Sequence, residues 1–214
     1  MYKYRYAALI AFAVISFALS LVFASCRGEA GIKPFDSIKK ELLSLKSYQC
    51  DVIMDVTNNK STMQYKMKHL YKSPDKYRIE VVEPEEGKGQ ITVFDGYTAY
   101  IYHPEVKAYL KHEGFMNTMN YEAFIGAFIC HFKELEKAKV ERHNTGSKAF
   151  YVLELGISGE NKYMKKERLW IDAQSGKPEK IEILDKDGNT TVLVQFENLK
   201  INVNIEDELF MINR

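Results

Sequence analysis

The chain has 214 residues, with 30 Lys and Arg against 29 Asp and Glu, and a net charge of +1 at pH 7. A chain of this length can bury a sizeable core in one domain. Because the charges almost balance, the composition excludes a polybasic surface, so we expect neither a nucleic-acid partner nor electrostatic adhesion to a membrane.

The N-terminal segment has the parts of a secretory signal peptide. Lys3 and Arg5 form a basic end, and an uncharged, mostly apolar run follows over residues 7–22. The small residues Ala24 and Ser25 then directly precede Cys26. This order is typical of bacterial lipoproteins, whose cysteine thiol receives diacylglycerol before cleavage. The sequence therefore predicts a lipoprotein signal peptide over 1–25, lipidation of Cys26, and a mature chain on the outer face of the cytoplasmic membrane.

Two other interpretations of this segment stay open. The apolar run is close to the roughly 17 to 25 residues that span a bilayer, so it could be an uncleaved anchor, or the leader of an ordinary secreted protein. All three interpretations place the rest of the chain outside the cytoplasm. Residues 26–33 then form the lipidated N-terminus and a linker of about 25 Å reach, and residues 34–214 form one domain.

The cysteines are Cys26, Cys50 and Cys130. If Cys26 carries lipid, the other two either pair in an oxidising compartment or stay as buried thiols. The sequence favours two free, buried thiols, because Cys50 falls on the apolar face of a predicted strand and Cys130 in a predicted helix. No CxxC motif and no cysteine–histidine cluster has the spacing of a zinc site.

Pro34 begins a predicted helix. After this helix, the apolar residues no longer recur at helical spacing but at every second position, as in a strand. Apolar residues recur at helical spacing at Phe35, Ile38, Leu42 and Leu45. Strict alternation follows over 48–56 and again over 63–71, with a turn signal at Asn58 and Asn59 between them. The two alternating runs predict an antiparallel hairpin with one apolar face.

Further strands and a second helix are predicted along the rest of the chain. The strand patterns before the helix cover 77–81, 90–94, 98–102 and 106–110. The helix has a broad apolar stripe formed by Tyr121, Phe124, Ile125, Phe128, Ile129, Phe132 and Leu135. The strand patterns after it cover 140–142, 150–155, 167–172, 179–184 and 191–196. Such regular short strands favour an α+β fold, mainly antiparallel, in which a long curved sheet carries helices on one face.

Few residues have the spacing of a catalytic or metal site. The histidines are His69, His103, His112, His131 and His143, and only His103 and His112, which flank a predicted strand, could come together. Residues 185–189 resemble the start of a calcium loop but lack glycine at the sixth position, so a β-turn is favoured. The carboxylates of Glu80, Glu83, Glu85 and Glu86 could serve a hydrolase, but their setting is more typical of a solvated loop. We expect no catalytic residue, metal or cofactor.

The aromatic content is the unusual compositional feature, with 14 Tyr and 12 Phe. Much of it falls on the predicted strand faces and on the second helix. Tyrosine joins a large apolar ring to a polar tip, so such a lining suits a concave sheet that holds an acyl chain or docks another protein. An ordinary aromatic-rich core is the other interpretation.

Several segments carry a resemblance to a known superfamily. Residues 70–84 read LYKSPDKYRIEVVEP, 88–96 read KGQITVFDG, and 101–104 read IYHP. The later segments 169–172, 176–178 and 207–210 read LWID, GKP and DELF. This succession resembles the LolA superfamily of lipoprotein carriers. Within it, Glu83-Pro84, Lys88-Gly89 and the segment FIGAF at 124–128 are most similar to the clostridial germination lipoprotein GerS and its relatives.

The resemblance implies an unclosed β-barrel, or half-barrel, with helices packed on its concave face. It also implies a role without catalysis, in which a membrane-anchored lipoprotein supports spore cortex modification and germination by binding the zinc amidase CwlD at a cytoplasmic or forespore membrane. Only Cys26 is carried over as a functional position.

Two alternatives to the GerS-type role stay open. LolA itself is a soluble carrier, so an anchor at Cys26 departs from it and disfavours a shuttle, but a carrier or sensor of lipids or lipoproteins that binds an acyl chain remains an alternative. An envelope hydrolase built on residues 80–86 ranks last. The oligomeric state, a homodimer included, is left open.

Overall fold

The computed structural model describes residues 31–113, 124–134 and 138–211. The predicted signal peptide over 1–25, the lipidation site Cys26, and residues Tyr121 and Leu135 of the predicted helical stripe lie outside these ranges. The chain from Lys33 onwards forms one unit, and the following description refers to it. None of the helices in the described ranges has the length and apolarity needed to cross a bilayer.

Helix α1 spans Phe35–Leu43, directly after Pro34, as the sequence predicts. Pro34 is extended, with φ −60° and ψ 141°, and Asp36 in the first turn complements the positive end of the helix dipole. Ile38 and Leu42 are buried. Leu45 is also buried but does not belong to the helix, because the helix ends at Leu43. Leu45 lies instead in the connection between the helix and the sheet.

Eleven strands follow, and they form two antiparallel meanders separated by one helix. The first meander comprises β1 Ser47–Thr57, β2 Thr62–Lys72, β3 Lys76–Glu83, β4 Ile91–Phe94, β5 Thr98–His103 and β6 Ala108–Glu113. Helix α2 spans Ile125–Glu134. The second meander comprises β7 Lys139–Thr145, β8 Lys148–Gly156, β9 Lys166–Asp172, β10 Pro178–Leu184 and β11 Thr190–Ile201.

The predicted hairpin is β1 with β2, which pair from Ser47 opposite Lys72 to Thr57 opposite Thr62. Its turn is built by Asn58, whose Oδ1 accepts the N–H groups of Lys60 and Ser61 at 2.8 and 3.0 Å. This is the side-chain-to-backbone bond that makes asparagine a turn residue. The alternation seen in the sequence therefore corresponds to one apolar and one polar face. The apolar face is buried away from the turn but not near it, where Met63 is 48% exposed.

All eleven strands belong to one sheet, in the order β6-β5-β4-β3-β2-β1-β11-β10-β9-β8-β7. The two meanders are joined at the centre by antiparallel pairing of β1 with β11, where Val52 lies opposite Phe196. Because β6 and β7 lie at opposite ends of the order, the sheet is not closed into a barrel. The predicted α+β class, with an unclosed antiparallel sheet and helices packed on its concave face, is confirmed.

The core lies between the concave face of the sheet and the two helices. The first turn of α2 is buried more completely than in an amphipathic helix, since all five residues from Ile125 to Ile129 are buried. The close approach of α2 to the sheet depends on Gly126. A Cβ atom at this position would lie 2.5 Å from Cε2 of Tyr71, so the backbone of α2 rests directly on that ring.

A smaller cluster covers part of the opposite, convex face. Val93 of β4 packs there with Ile205 and Phe210 of the C-terminal segment, which forms a short 3-10 helix over Asp207–Phe210. Asp207 fixes this segment to the sheet because its Oδ1 accepts hydrogen bonds from Lys72 and Lys76 at 3.0 and 3.1 Å.

The start of β6 differs from the prediction by two residues. Val106 was expected to begin a strand, but it lies in the turn between β5 and β6, and β6 begins at Ala108. Lys107 has a φ of 49°, and its N–H bonds to the carbonyl of Pro104 at 3.3 Å. This tight turn interrupts the extended backbone at the point where the sequence shows only an apolar, β-branched residue.

Candidate functional site

The concave face is occupied by the helices. Phe128 of α2 has no exposed surface, and Phe124 and Phe132 are also buried against the sheet. In the described part of the chain, the aromatic residues of this face therefore form a packed core. This agrees with the interpretation of an ordinary aromatic-rich core rather than with a lining for a ligand. An apolar cleft of about 410 Å³ lies beside the turn that joins β1 to β2. It is lined in part by Val56, Tyr163, Met164 and Val192.

His69 is a core residue. Its Nδ1 lies 3.3 Å from the hydroxyl of Tyr48, and its ring contacts Phe124 at a centroid distance of 4.3 Å. Burial lowers the pKa of His69 to about 3, so the imidazole is neutral at physiological pH. Nε2 is buried and has no hydrogen-bond partner within the described residues. The expected alternation of β2 indicated this position, since His69 shares its face with Met67 and Tyr71.

A buried carboxylate lies beneath α2. Glu167 at the start of β9 has no exposed surface, and its Oε1 lies 2.9 Å from Nδ1 of His131. Burial raises the pKa of Glu167, and the nearby His131 partly counters this. This pair was not predicted from the sequence. The signal was present, because Glu167 alternates in phase with Leu169 and Ile171 and so lies on the core face of β9.

The cysteines differ in their surroundings. Cys50 is buried and keeps a free thiol, and burial, with a smaller contribution from Asp51, raises its pKa to about 12. Cys130 on α2 is only half-buried, where the sequence predicted a buried thiol. The helix places Cys130 next to His131 at the rim of the core, beyond its fully buried stripe. The reduced thiol of Cys50 means that the alternative disulfide with Cys130 is not formed.

The acidic stretch does not form a pair of catalytic carboxylates. Glu83 makes an ion pair with Lys66 at 2.9 Å, and Glu85 makes one with Lys88 at 3.0 Å. Both carboxylates are exposed, and Glu86 is exposed as well. Exposed pairs of this kind contribute little to stability. The stretch therefore has the solvated character that its sequence favours.

The remaining polar candidates also have structural explanations. His103 and His112 are kept apart, because His103 lies opposite Ala108 and His112 opposite Ala99 at the other end of β5. Asp185 closes a turn, with its Oδ1 accepting the N–H groups of Asp187 and Asn189 at 2.9 and 2.8 Å. Within the described ranges no three His, Cys, Asp or Glu side chains are grouped for a metal ion.

The two edges of the open sheet have different chemistry. All seven residues of β7 are exposed, and Glu141 on this strand makes an ion pair with Lys139 at 2.6 Å and a hydrogen bond with Nε2 of His143 at 3.2 Å. All six residues of β6 are exposed too, but Tyr109 and Leu110 leave 51% and 57% of their surface open to solvent. Charged side chains protect an edge strand from pairing with another chain, whereas exposed apolar ones do not.

A cleft of about 610 Å³ lies beside β6 on the convex face. Tyr100, Tyr109 and Lys111 line it from the sheet, and Phe210 and Met211 line it from the C-terminal segment. Met211 is 58% exposed, so the cleft continues the apolar surface of the strand. We call β6 together with this cleft the β6 edge. The sequence showed the strand but gave no signal that it would end the sheet.

Solved structures of other proteins are similar to this chain in their fold. A structure from Thermus thermophilus, described as an uncharacterized conserved protein, matches with a TM-score of 0.56 and 12% identity, covering 85% of this chain and 96% of that one, and it supports the fold alone. A LolA superfamily protein from Nitrosomonas europaea matches with a TM-score of 0.45 and 15% identity, covering 82% and 96% of the two chains. The comparison with curated proteins gave no match.

A further solved structure and a family model also match this chain. A structure of the CwlD amidase from Clostridioides difficile in complex with the GerS lipoprotein matches with 30% identity and a TM-score of 0.49, covering 77% of this chain and 91% of that one. The model of the family described as sporulation protein YdcC-like matches residues 6–210, which is nearly the whole sequence. The chain therefore belongs to the YdcC-like family of sporulation proteins.

Proposed function

We propose that this protein is a non-enzymatic, membrane-anchored lipoprotein of the GerS type, which supports spore cortex modification and germination by binding a cell-wall amidase similar to CwlD. The observation that carries the proposal is the match to the YdcC-like sporulation family over residues 6–210. The sequence identity of 30% with the chain crystallised in the CwlD–GerS complex supports the finer assignment.

The chemistry of the described residues supports binding rather than catalysis. His69 is held neutral inside the core, and Glu167 is bonded to His131 beneath α2. In the acidic stretch, Glu83 and Glu85 are paired with lysines at the surface. These groups have structural roles, so we assign the protein's activity to its surface and to the partner that it contacts.

The proposed anchor is Cys26, preceded by the leader over 1–25 and followed by a linker that ends near Lys33. The N–H of Lys33 bonds to the carbonyl of Ala173 at 2.8 Å, and its carbonyl accepts the hydroxyl of Tyr151 at 3.0 Å. In the proposed arrangement, the seven linker residues limit the distance between the lipid and the folded unit to at most about 25 Å. Two or more acyl chains hold a protein stably, and confinement to one surface raises the effective concentration of a partner there.

The anchor is tested by Cys26→Ser in the full chain, expressed in a sporulating host. We expect the wild-type protein in the membrane fraction with a lipid-sized mass increase, and the variant without lipid and outside that fraction. Cys130→Ser is the control, because it removes a thiol that lies within the folded unit, and it should leave the fractionation unchanged. Membrane retention and lipid labelling of Cys26→Ser would contradict the assignment.

The partner is tested by purifying the full chain from sporulating cells in mild detergent and adding the CwlD-type amidase of the same organism. We expect a stoichiometric complex on gel filtration. We also expect that deletion of the gene leaves the amidase product, muramic acid without its peptide, missing from the cortex. A cortex of wild-type composition in the deletion strain, together with no complex, would overturn the proposed role.

A carrier or sensor of lipids is the second candidate, and the cleft of about 410 Å³ at Val56, Tyr163, Met164 and Val192 is the observation that favours it. Its lining is mainly apolar, as an acyl chain requires. Organic extraction and native mass spectrometry of the purified protein would show a bound lipid in this case. Lipid-free protein would leave the cleft as a surface feature.

A further inference from the structure

We propose that the β6 edge binds an extended segment of the partner enzyme, which adds to the sheet as a twelfth strand next to β6. This inference rests on the proposed function, since it names the surface through which the amidase is held. It is carried by three features of the β6 edge: a terminal strand, exposed apolar side chains on both of its faces, and an adjoining cleft.

The backbone of β6 selects the class of ligand. β6 pairs with β5 over its whole length, from Thr98 opposite Glu113 to His103 opposite Ala108, and no described strand lies on its other side. In an antiparallel edge strand, alternate residues direct their N–H and C=O groups away from the sheet. Only an extended polypeptide presents groups at the matching repeat, so the partner at this edge is a strand rather than a helix or a glycan.

The side chains of β6 distinguish it from the other edge. Exposed apolar residues accumulate at this end of the sheet: Tyr97 at 70%, Val106 at 69%, Tyr109 at 51% and Leu110 at 57% exposure. On β7 the one exposed large apolar residue is Val140, at 39%, among Lys139, Glu141, Arg142 and His143. On β6 the charged residues are confined to one end of the strand, where Lys111 and Glu113 form an ion pair at 2.7 Å, so Ala108, Tyr109 and Leu110 are the part without the charge that hinders strand addition along β7.

The two faces of β6 offer different contacts to an added strand. Leu110 lies opposite Ile101, which packs against the main core, so a new strand would extend that core by covering Leu110. Tyr109 lies opposite Tyr102 on the other face, with a ring centroid distance of 4.9 Å. An added strand therefore gains apolar contact on both faces, which is the condition for a stable strand pair.

The cleft indicates which side chains the added strand would have. Tyr100, Tyr109, Phe210 and Met211 provide apolar walls in a volume of about 610 Å³, and Lys76, Lys111, Asp95 and Asp207 place charges of both signs around them. A strand next to β6 would direct every second side chain toward this face. The fitting segment thus has an aromatic or large aliphatic residue that enters the cleft, with polar residues on either side of it.

The test uses the full chain in detergent with the CwlD-type amidase and two substitutions that place a charge on the edge, Tyr109→Asp and Leu110→Lys. Both residues are exposed, so the fold should tolerate the change, which circular dichroism checks. We expect each variant to bind the amidase at least about tenfold more weakly than the wild type. Val140→Lys on β7 is the matched control and should bind as the wild type does.

Amide hydrogen exchange provides a second readout, because a strand that adds to β6 protects alternate backbone amides over Ala108–Glu113 on complex formation. Unchanged exchange at β6, or equal weakening by Val140→Lys, would overturn the inference while leaving the GerS-type role in place. Absence of any wild-type complex would overturn both. Loss of a homodimer in Leu110→Lys, with amidase affinity intact, would show that a second copy of the chain takes this edge instead.

Discussion

The contact between Gly126 and Tyr71 makes the position of α2 testable with one methyl group. In Gly126→Ala the new Cβ would lie 2.5, 2.7 and 2.9 Å from three ring atoms of Tyr71, where real carbon contacts are close to about 3.5 Å or longer. The ring cannot turn away easily. Its hydroxyl donates to the carbonyl of Pro74 at 2.7 Å, and its face stacks on Tyr48 at 5.1 Å.

The expected effect combines two opposing contributions. Overpacking a well-packed core costs typically about 1–3 kcal/mol, and three contacts below 3.0 Å belong at the upper end of that range. Replacing glycine by alanine inside a helix returns about 1 kcal/mol. We therefore expect Gly126→Ala to lower the free energy of unfolding by about 2 kcal/mol, or the melting temperature by roughly 4–8 °C for a domain of this size.

Urea unfolding followed by circular dichroism measures this difference, with an unchanged m value as the sign that only stability has altered. Gly156→Ala is the matched control. Nothing lies within 4 Å of a Cβ atom built there, so its effect should stay within about 0.5 kcal/mol. A second substitution, Tyr71→Leu, should recover part of the loss in Gly126→Ala. If Gly126→Ala is as stable as the wild type or more so, α2 does not rest on Tyr71 and the reasoning fails.

Two further predictions concern the core. Phe128 is fully buried, so Phe128→Ala should lower the free energy of unfolding by about 3–5 kcal/mol in urea denaturation, and near-normal stability would show that α2 is exposed. His69 has its pKa lowered from 6.5 to about 3 by burial, so the unfolded chain binds a proton that the folded one rejects as pH falls below 6.5. Stability should therefore decrease by about 2 kcal/mol between pH 7 and pH 5 from this residue alone, and His69→Gln should lack that component; an equal pH dependence in both proteins would contradict it.

The periodicity of the sequence predicted the elements because burial on one side imposes it. The alternation over 48–56 and 63–71 became β1 and β2, and the stripe that contains Phe124 and Phe128 became α2. His69 and Glu167 each follow the phase of their apolar neighbours, yet polarity alone marks such residues as exposed. Their burial depends on partners from distant elements, Tyr48 and His131, that local spacing does not specify.

Such local patterns do not predict the order of the strands in the sheet. Adjacent strands pair through short turns, which the glycine and asparagine signals mark, but Phe196 lies opposite Val52, which is far from it in the sequence. Likewise, nothing in residues 108–113 indicates that this strand ends the sheet while β1 lies at its centre. The candidate site could not be predicted for the same reason, because an edge is a property of the whole sheet.

The central pairing of β1 with β11 also constrains how the protein can be made. Since β11 is the last of the described strands along the chain yet lies in the middle of the order, no nascent chain that stops before Thr190 can join its two meanders. Such a fragment would have two additional exposed edge strands, β1 and β10, with which a neighbouring chain could pair. The two meanders therefore join only after β11 has been synthesised, and truncated chains that lack β11 should be prone to aggregation or degradation.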